Sequence, residues 1–290
     1  MDKKIISFTV PCEFNGKMLK VFLKKYCNMS TRTLSKLKRE DCGITRDNAV
    51  IKATDNVFAN EKIVISLPKD KNEIIPIKGD LDILFEDEYL LCINKPYNMP
   101  VHPTKVHQTD TLSNIVSYYM VSNGENYAFR AVNRLDKDTS GIVILAKDRY
   151  TCAVMQGSNE IQKEYVAVCE GEIFENITID NPISLAENSK IKRCVCDNGQ
   201  KAITHCTPIK NKNDHTLLKV TLETGRTHQI RCHLSSIGHP LAGDDLYGGS
   251  REKILRQALH CISVTFLHPI TKRKVIIKTD IPQEFLAIVK

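Results

Sequence analysis

The stretch NRLDKDTSGIVILAK, residues 133–147, sets a carboxylate, Asp136, in a polar turn directly before a continuous apolar run. Thr139, Ser140 and Gly141 make a tight, hydrogen-bond-rich connection that would hold such a turn rigid. Arg134 lies two residues from the acid, on the same side if the backbone is extended, where a guanidinium complements the carboxylate and limits its motion. One ionised carboxylate in this setting can serve as a nucleophile, or can take a proton and return it. The same residues also suit an ordinary surface turn with a capping Asp. In THQIRCHLSSIG, residues 227–238, Ile230 and Leu234 are four apart and share a helix face, while His228 and Arg231 are three apart on the next. One face can pack while the other turns Arg231 toward a carboxylate or phosphate. Arg226, just before the helix, is a rival for that role. Tyr165, in KEYVAVCEG, stands in a strand with Val166 and Val168, as a core tyrosine or as the aromatic wall of a pocket.

These groups need rigid elements behind them. GIVILAK reads as a buried strand after the Asp136 turn, and DRYTCAVMQG as a helix capped by Asp148. LDILFED, YLLCINKP, KEYVAVCEG and LLKVTLETG read as strands, and LHCISVTFLHP with KRKVIIKT as a hairpin across PIT. Asp110 is expected to cap the helix TLSNIVSYYMVS, with Leu112, Ile115, Val116 and Tyr119 as its buried face. Gly238 stops the helix that carries Arg231, and Pro282 opens a last helix, QEFLAIV. Strands outnumber helices, and few are followed by a helix at crossover spacing. The expected class is therefore α+β, with a mixed, largely antiparallel sheet flanked by helices. Ahead of it, KMLKVFLKKYC puts Leu19, Phe22, Leu23 and Tyr26 on one helical face, and Ser30 caps a short second helix, TRTLSKLKRE. Short strands follow, ending at KIVISLP. The expected division is a small α/β domain over 1–70, a linker over 71–79 and a larger domain over 80–290.

Charge separates the two parts. Residues 1–70 hold 14 Lys and Arg against 8 Asp and Glu, a net of +6 within a total of +7. From Lys17 to Arg39 there are eight basic residues, Arg32, Lys36 and Arg39 among them, and no acidic one. Such a face neutralises phosphates and steers a polyanion, although a solvated helix surface carries the same pattern. No apolar run approaches the ~18 residues of a membrane span. The first residues lack the apolar core of a signal peptide, so a cytoplasmic protein is expected. The eleven cysteines contain no C-x-x-C pair and sit mostly in apolar runs, as free thiols in a reducing compartment would. The histidines show neither H-x-x-x-H nor H-E-x-x-H spacing, and no metal site is expected.

The run R-L-D-x-x-T-S-G resembles the signature of the RluA-type pseudouridine synthases. INKPYNMPVHP (93–103), KEYVAVCEG (163–171) and TGRTHQIRCHLSSIGHPLAGDDLYG (224–248) resemble three further blocks of that family, in the right order. The resemblance spans roughly residues 80–290. The first 70 residues resemble the small αL-type RNA-binding domain, shared with a ribosomal small-subunit protein, that many of these enzymes carry. The resemblance implies isomerisation of uridine to pseudouridine in ribosomal or transfer RNA by a monomer without metal or cofactor. It implies Asp136 as the catalytic carboxylate, Tyr165 stacked on the target base, Arg231 paired with Asp136, and Ile230 packed against the tyrosine and base. Arg134 would take the place of the flipped nucleotide. Asn133 stands where many members have His. The rival readings are an RNA-binding protein without catalysis and a nucleobase-releasing hydrolase, which would need a second carboxylate such as Asp138. A zinc deaminase would need H-x-E and P-C-x-x-C signatures that the chain lacks.

Overall fold

The computed structural model describes residues 3–67, 72–158 and 160–290. The N-terminal part has a four-stranded sheet of β1 (Lys4–Thr9), β2 (Ile44–Arg46), β3 (Ala49–Val50) and β4 (Lys62–Leu67), in the order β1-β4-β2-β3. Helices α1 (Leu19–Lys25) and α2 (Thr31–Leu37) bury Leu19, Phe22, Leu23, Leu34 and Leu37 against it. Ser30 caps α2, its hydroxyl accepting from the Thr33 amide at 3.1 Å. Because the apolar residues occupy one stripe of each helix, Lys17, Lys20, Lys24, Lys25, Arg32 and Arg39 are left exposed, with Lys36 half-buried. Of the expected linker, residue 71 lies outside the described residues; Ile75 and Ile77 are tied by hydrogen bonds to Asn114.

The larger part is built on nine strands: β5 (Ile83–Glu86), β6 (Leu90–Lys95), β7 (Ser140–Ala146), β8 (Gln162–Glu170), β9 (Ile177–Asp180), β12 (Ile203–Lys212), β13 (His215–Leu222), β14 (Leu259–Leu267) and β15 (Lys274–Lys278). Between β9 and β12 stands a separate hairpin, β10 (Ile183–Leu185) and β11 (Arg193–Val195). The sheet order is β9-β12-β13-β8-β14-β7-β6-β5, with β15 also on β14. Among the described residues only β7 and β14 pair in parallel, through His260 with Ser140 and Cys261 with Gly141. This is the expected α+β class with its mixed, largely antiparallel sheet. Helices α3 (Leu112–Ser122), α4 (Arg149–Gly157), α5 (Gln229–Ser236) and α6 (Gln283–Ile288) flank it.

Every residue of β7 is buried, so the chain leaving the Asp136 turn enters the middle of the core at once. Gly141 has φ +111°, and a Cβ there would meet the Cys261 carbonyl oxygen at 2.3 Å, so that only glycine allows β7 and β14 to close. Asp148 caps α4 as expected, accepting from the Thr151 amide at 2.8 Å. Asp110 does not cap α3. Thr111 holds that position, its amide donating to Asn114 Oδ1 at 3.1 Å, and Asp110 pairs instead with His107. Asn114 satisfies an orphan amide from inside the first turn, which removes the need for an acid one residue earlier. Leu112, Val116 and Met120 form the buried face of α3, with Ile115 and Tyr119 only partly covered.

The two parts share a core. Tyr150 and Val154 of α4 pack in one cluster with Ile6, Phe8, Leu23 and Met29 of the N-terminal part. The Tyr150 ring meets Phe8 edge-on at 5.7 Å, and its hydroxyl donates to the Cys27 carbonyl. At the rim, Lys4 pairs with Glu88 at 2.8 Å and lies 4.7 Å over the Tyr89 ring. The apolar contact outweighs the partly exposed ion pair. Tyr150→Ala is expected to destabilise the chain by roughly 3–5 kcal/mol, the range for emptying a large buried aromatic site. Denaturant unfolding checks this, with one cooperative transition expected for wild type. A loss under ~1 kcal/mol would mean that the two parts do not share this core in solution.

Candidate active site

The Asp136 turn is held from three sides. Asn133 reaches β7, its amide group donating to the Ile142 carbonyl at 3.0 Å and its oxygen accepting from the Ile144 amide at 2.8 Å. Thr139 donates its amide to the Asp136 carbonyl at 3.2 Å, and its hydroxyl accepts from Gln257 at 2.9 Å. Ser140 bonds to His260 at 2.8 Å. On the third side is Lys95, fully buried at the end of β6. It donates to the carbonyls of Pro96, Met99 and Lys137 at 2.8, 2.8 and 3.0 Å. One cation thus ties the loop after β6 to the residue that follows Asp136.

The carboxylate meets α5. Arg231 Nη1 donates to Asp136 Oδ2 at 3.0 Å, while its Nε and Nη2 grip both oxygens of Asp244 at 2.6 and 2.8 Å. Asp244 is fully buried, and the bidentate grip fixes the plane of the guanidinium. Burial disfavours the Arg231 cation, but the bonds to Asp244 and Asp136 outweigh it and hold its pKa above the ordinary value. His228 Nε2 stands 3.6 Å from the same Oδ2. His228 is not in the helix but just before it, in the left-handed region at φ +57°, and its Nδ1 meets the Tyr247 hydroxyl at 3.1 Å. Burial pushes His228 below its ordinary value, Asp136 opposes this, and Arg231 adds to it. Tyr247 also lies 5.0 Å under the Arg231 guanidinium and accepts from the Arg193 amide at 2.8 Å. Both contacts to Asp136 fall on Oδ2; Oδ1 accepts no hydrogen bond among the described residues.

Asp136 lies in a cleft of about 960 Å³, whose lining includes Arg134, Tyr165, Arg226 and Lys163. A smaller cavity of about 70 Å³ shares Asp136 and Tyr165 with this cleft and adds Ile230 and Arg231 to its lining. Tyr165 is 7% exposed, and burial pushes its phenol well above the ordinary value of 10, so it presents a neutral ring. Arg134 is exposed at the cleft wall. Arg226 lines the cleft but makes no bond to Asp136, its Nε donating instead to the Lys201 carbonyl at 3.1 Å. Arg32, Lys36 and Arg39 stand on or just past α2 of the small part, outside the cleft lining. Asp138 is bound through its carbonyl by Arg256, and no second carboxylate but Asp244 shares the Arg231 guanidinium among the described residues. Sequence reasoning missed Asp244, Tyr247, His228 and Lys95. The first two lie in the block PLAGDDLYG, where a carboxylate and an aromatic close to a glycine turn were the available signal. Among the described residues no group of three or more His, Cys, Asp or Glu gathers as metal ligands do.

An acid clamped by arginine beside a neutral aromatic ring, at the bottom of a basic cleft, fits carboxylate chemistry on a flipped base. The chain belongs to the RNA pseudouridylate synthase family, whose model matches residues 89–236. It is an enzyme that isomerises uridine to pseudouridine in RNA. It is 39% identical to the uncharacterized RNA pseudouridine synthase YhcT of Bacillus subtilis over 244 residues, covering 82% of this chain and 79% of the relative. It is 32% identical to ribosomal large subunit pseudouridine synthase D of Pseudomonas aeruginosa over 295 residues, covering 96% and 92%. The corresponding Escherichia coli enzyme is 33% identical over 82% of this chain and 79% of its own length. The structure of human RNA pseudouridylate synthase domain containing 1 shares the fold, with a TM-score of 0.59 and 24% identity, over 70% of this chain and 84% of that one. No helix among the described residues is long and apolar enough to cross a membrane.

Burial draws Lys95 down from an ordinary 10.5 to about 7, against the pull of Asp138 and Asp136. Its folded pKa is depressed, so between about 7 and 10.5 the unfolded chain holds a proton that the folded chain has released. Lys95 therefore makes stability rise with pH across that window. Turnover is expected to run the other way. The neutral amine has two N–H donors for three carbonyls, and the Asp136 turn loses a tether. Single-turnover rates should fall with a midpoint near pH 7, whereas Lys95→Met should be slow and lack that decline. An identical alkaline decline in the Met variant would assign it to another group.

Proposed function

We propose that this enzyme acts in the cytoplasm, as a monomer, on uridines of large-subunit ribosomal RNA, with Asp136 as its catalytic carboxylate. The observation that carries the reading is the single oxygen by which Arg231 holds Asp136, in a cleft floored by Tyr165. Isomerisation breaks the N1–C1′ bond, turns the uracil and joins C5 to C1′. N1 gains a proton and the C5 proton leaves, so the step consumes neither water nor a redox cofactor. Asp136 either attacks C1′ through its free Oδ1 or takes a proton from the ribose and returns it. Arg231, anchored by Asp244, keeps the carboxylate charge and direction constant through either route. Tyr165 stacks on the extruded base, Ile230 packs against both, and Arg134 occupies the place the base has left. Large-subunit RNA is favoured because the Pseudomonas and Escherichia relatives carry that name. Residues 1–70 serve as the RNA-binding domain, joined through 71–79 to the catalytic domain over 80–290. In that reading Arg32, Lys36 and Arg39 contact phosphates, and Arg226 adds a further cation at the cleft.

Asp136→Asn is expected to cut tritium release from RNA carrying [5-3H]uridine by at least about a hundredfold, the lower range for removing an acid–base group. RNA affinity should stay within about twofold, since phosphate contacts supply most of it. Turnover within tenfold of wild type would remove Asp136 from the chemistry. Mapping the pseudouridines lost on gene deletion tests the substrate, and a loss confined to tRNA would redirect it.

The shared core with α4 makes deletion of the small domain a poor test of its role, because it would bare Tyr150. The triple substitution Arg32→Gln, Lys36→Gln, Arg39→Gln leaves that core intact. It is expected to flatten the slope of log affinity against log salt by about 2 to 3. An unchanged slope would mean that these cations only solvate the surface.

A further inference from the structure

His228 occupies the last position before α5 at φ +57°, a conformation that costs a residue other than glycine free energy. Its carbonyl accepts from the Cys232 amide at 2.9 Å, so the first turn of α5 fixes the backbone that carries the ring. The imidazole lines both the cleft and the smaller cavity. Its two nitrogens have unlike neighbours. Nε2 stands 3.6 Å from Asp136 Oδ2, and Nδ1 lies 3.1 Å from the Tyr247 hydroxyl. The second contact decides where the ring proton sits. The Tyr247 hydroxyl already accepts from the Arg193 amide at 2.8 Å, a bond whose direction cannot be reversed. Tyr247 is buried, and among the described residues His228 Nδ1 is the only other hydrogen-bonding group that its hydroxyl meets. A buried hydroxyl proton without an acceptor is unfavourable, so the phenol donates to Nδ1. Burial pushes that phenol up to about 12, which keeps its proton in place at neutral pH. Burial also favours the neutral form of His228. With Nδ1 accepting, the single proton of the neutral ring is on Nε2, the atom that faces Asp136.

We propose that His228 is a positioning residue for Asp136, its Nε2–H giving Oδ2 a second donor beside Arg231, with Tyr247 fixing the tautomer that makes this possible. The inference rests on the reading of Asp136 as the reacting carboxylate. At 3.6 Å the contact is longer than a hydrogen bond, and contacts of this kind tighten when substrate fills the site. Two donors on one oxygen, one from α5 and one from the turn before it, set the plane of a carboxylate that a single bond leaves free to turn. Oδ1 is then held toward the cleft. A neutral donor suits this task better than a second cation. Arg231 already supplies a full positive charge, and another at Oδ2 would weaken the carboxylate both as nucleophile and as base. Asp244 anchors the charged donor and Tyr247 the neutral one. No proton leaves His228 in this role, so the balance of the isomerisation is unchanged.

The test uses the full chain labelled with 15N-histidine, the His228 signals being those absent from the His228→Asn spectrum. Long-range proton–nitrogen correlations at neutral pH are expected to show a protonated Nε2 and a bare Nδ1. Tyr247→Phe, which keeps the ring and removes the hydroxyl, should leave both tautomers populated. Tritium release from total RNA carrying [5-3H]uridine, taken from cells lacking the gene, reads the consequence for turnover. His228→Asn tolerates the left-handed backbone but is too short to reach Asp136. It should lower kcat about tenfold, the effect of one directed hydrogen bond, with KM within about twofold. His228→Gln, whose amide nitrogen extends to the place of Nε2, should recover kcat to within about threefold of wild type. Tyr247→Phe should lie between the two. A protonated Nδ1 with a bare Nε2 in wild type would overturn the inference, whatever the variants did. So would wild-type kcat in a folded His228→Asn alongside an inactive Asp136→Asn. Turnover of Asp136→Asn within about tenfold of wild type would instead remove the reading on which the inference rests, and the role of His228 with it.

Discussion

Arg231 is shared between two carboxylates, and the arrangement of the site follows from how unequally it is shared. Asp244 takes two of its nitrogens at 2.6 and 2.8 Å, and Asp136 takes one at 3.0 Å. The buried acid neutralises and orients the guanidinium, while the cleft-facing acid borrows a single, directed hydrogen bond. If Asp244 were absent, a lone arginine facing Asp136 would be free to close a two-pronged pair over both of its oxygens. The clamp therefore leaves Oδ1 without a protein donor. It also explains why a buried cation can sit behind the cleft-facing Asp136: its desolvation is offset on the core side, where geometry is complete.

Everything around the clamp limits motion of the two backbones that meet there. β7 enters the core immediately after the turn, Gly141 lets it approach β14, and Asn133, Thr139 and Ser140 bind the turn to its surroundings. Lys95 adds a tether that no short-range contact could supply, since it joins segments 42 residues apart. Asp136 thus belongs to a loop by secondary structure, while its turn belongs to the core by its bonding.

Much of this was legible from residue types, and the failures have particular causes. The strand after Asp136 was plain because seven consecutive small or apolar residues admit little else. Arg231 faced the acid because three-and-four spacing on α5 assigns one side to packing with Ile230 and Leu234. Asp244 was not legible, because it becomes a partner only when a turn after α5 folds back against it. His228 was read as part of the helix; it stands at φ +57° in the turn before it, which the Gln229 amide closes by donating to the Arg226 carbonyl. Long β12, Ile203–Lys212, escaped notice since Pro208 and the irregular pairing beside it break the alternation expected of a strand. Asp110 was misplaced by one residue because both it and Thr111 are good caps, and Asn114 decided between them.

The core shared by the small domain and α4 has a consequence for synthesis of the chain. Phe8, Leu23 and Met29 leave the ribosome long before Tyr150 and Val154, which cover them. Roughly eighty residues separate the end of β4 from the start of α4, on the order of 4–16 s of elongation at typical rates. Through that interval the nascent domain presents an uncovered apolar face beside its own cluster of lysines. Positive charge flanking such a face disfavours self-association between neighbouring nascent chains, so these lysines also act as gatekeepers while the chain is being made.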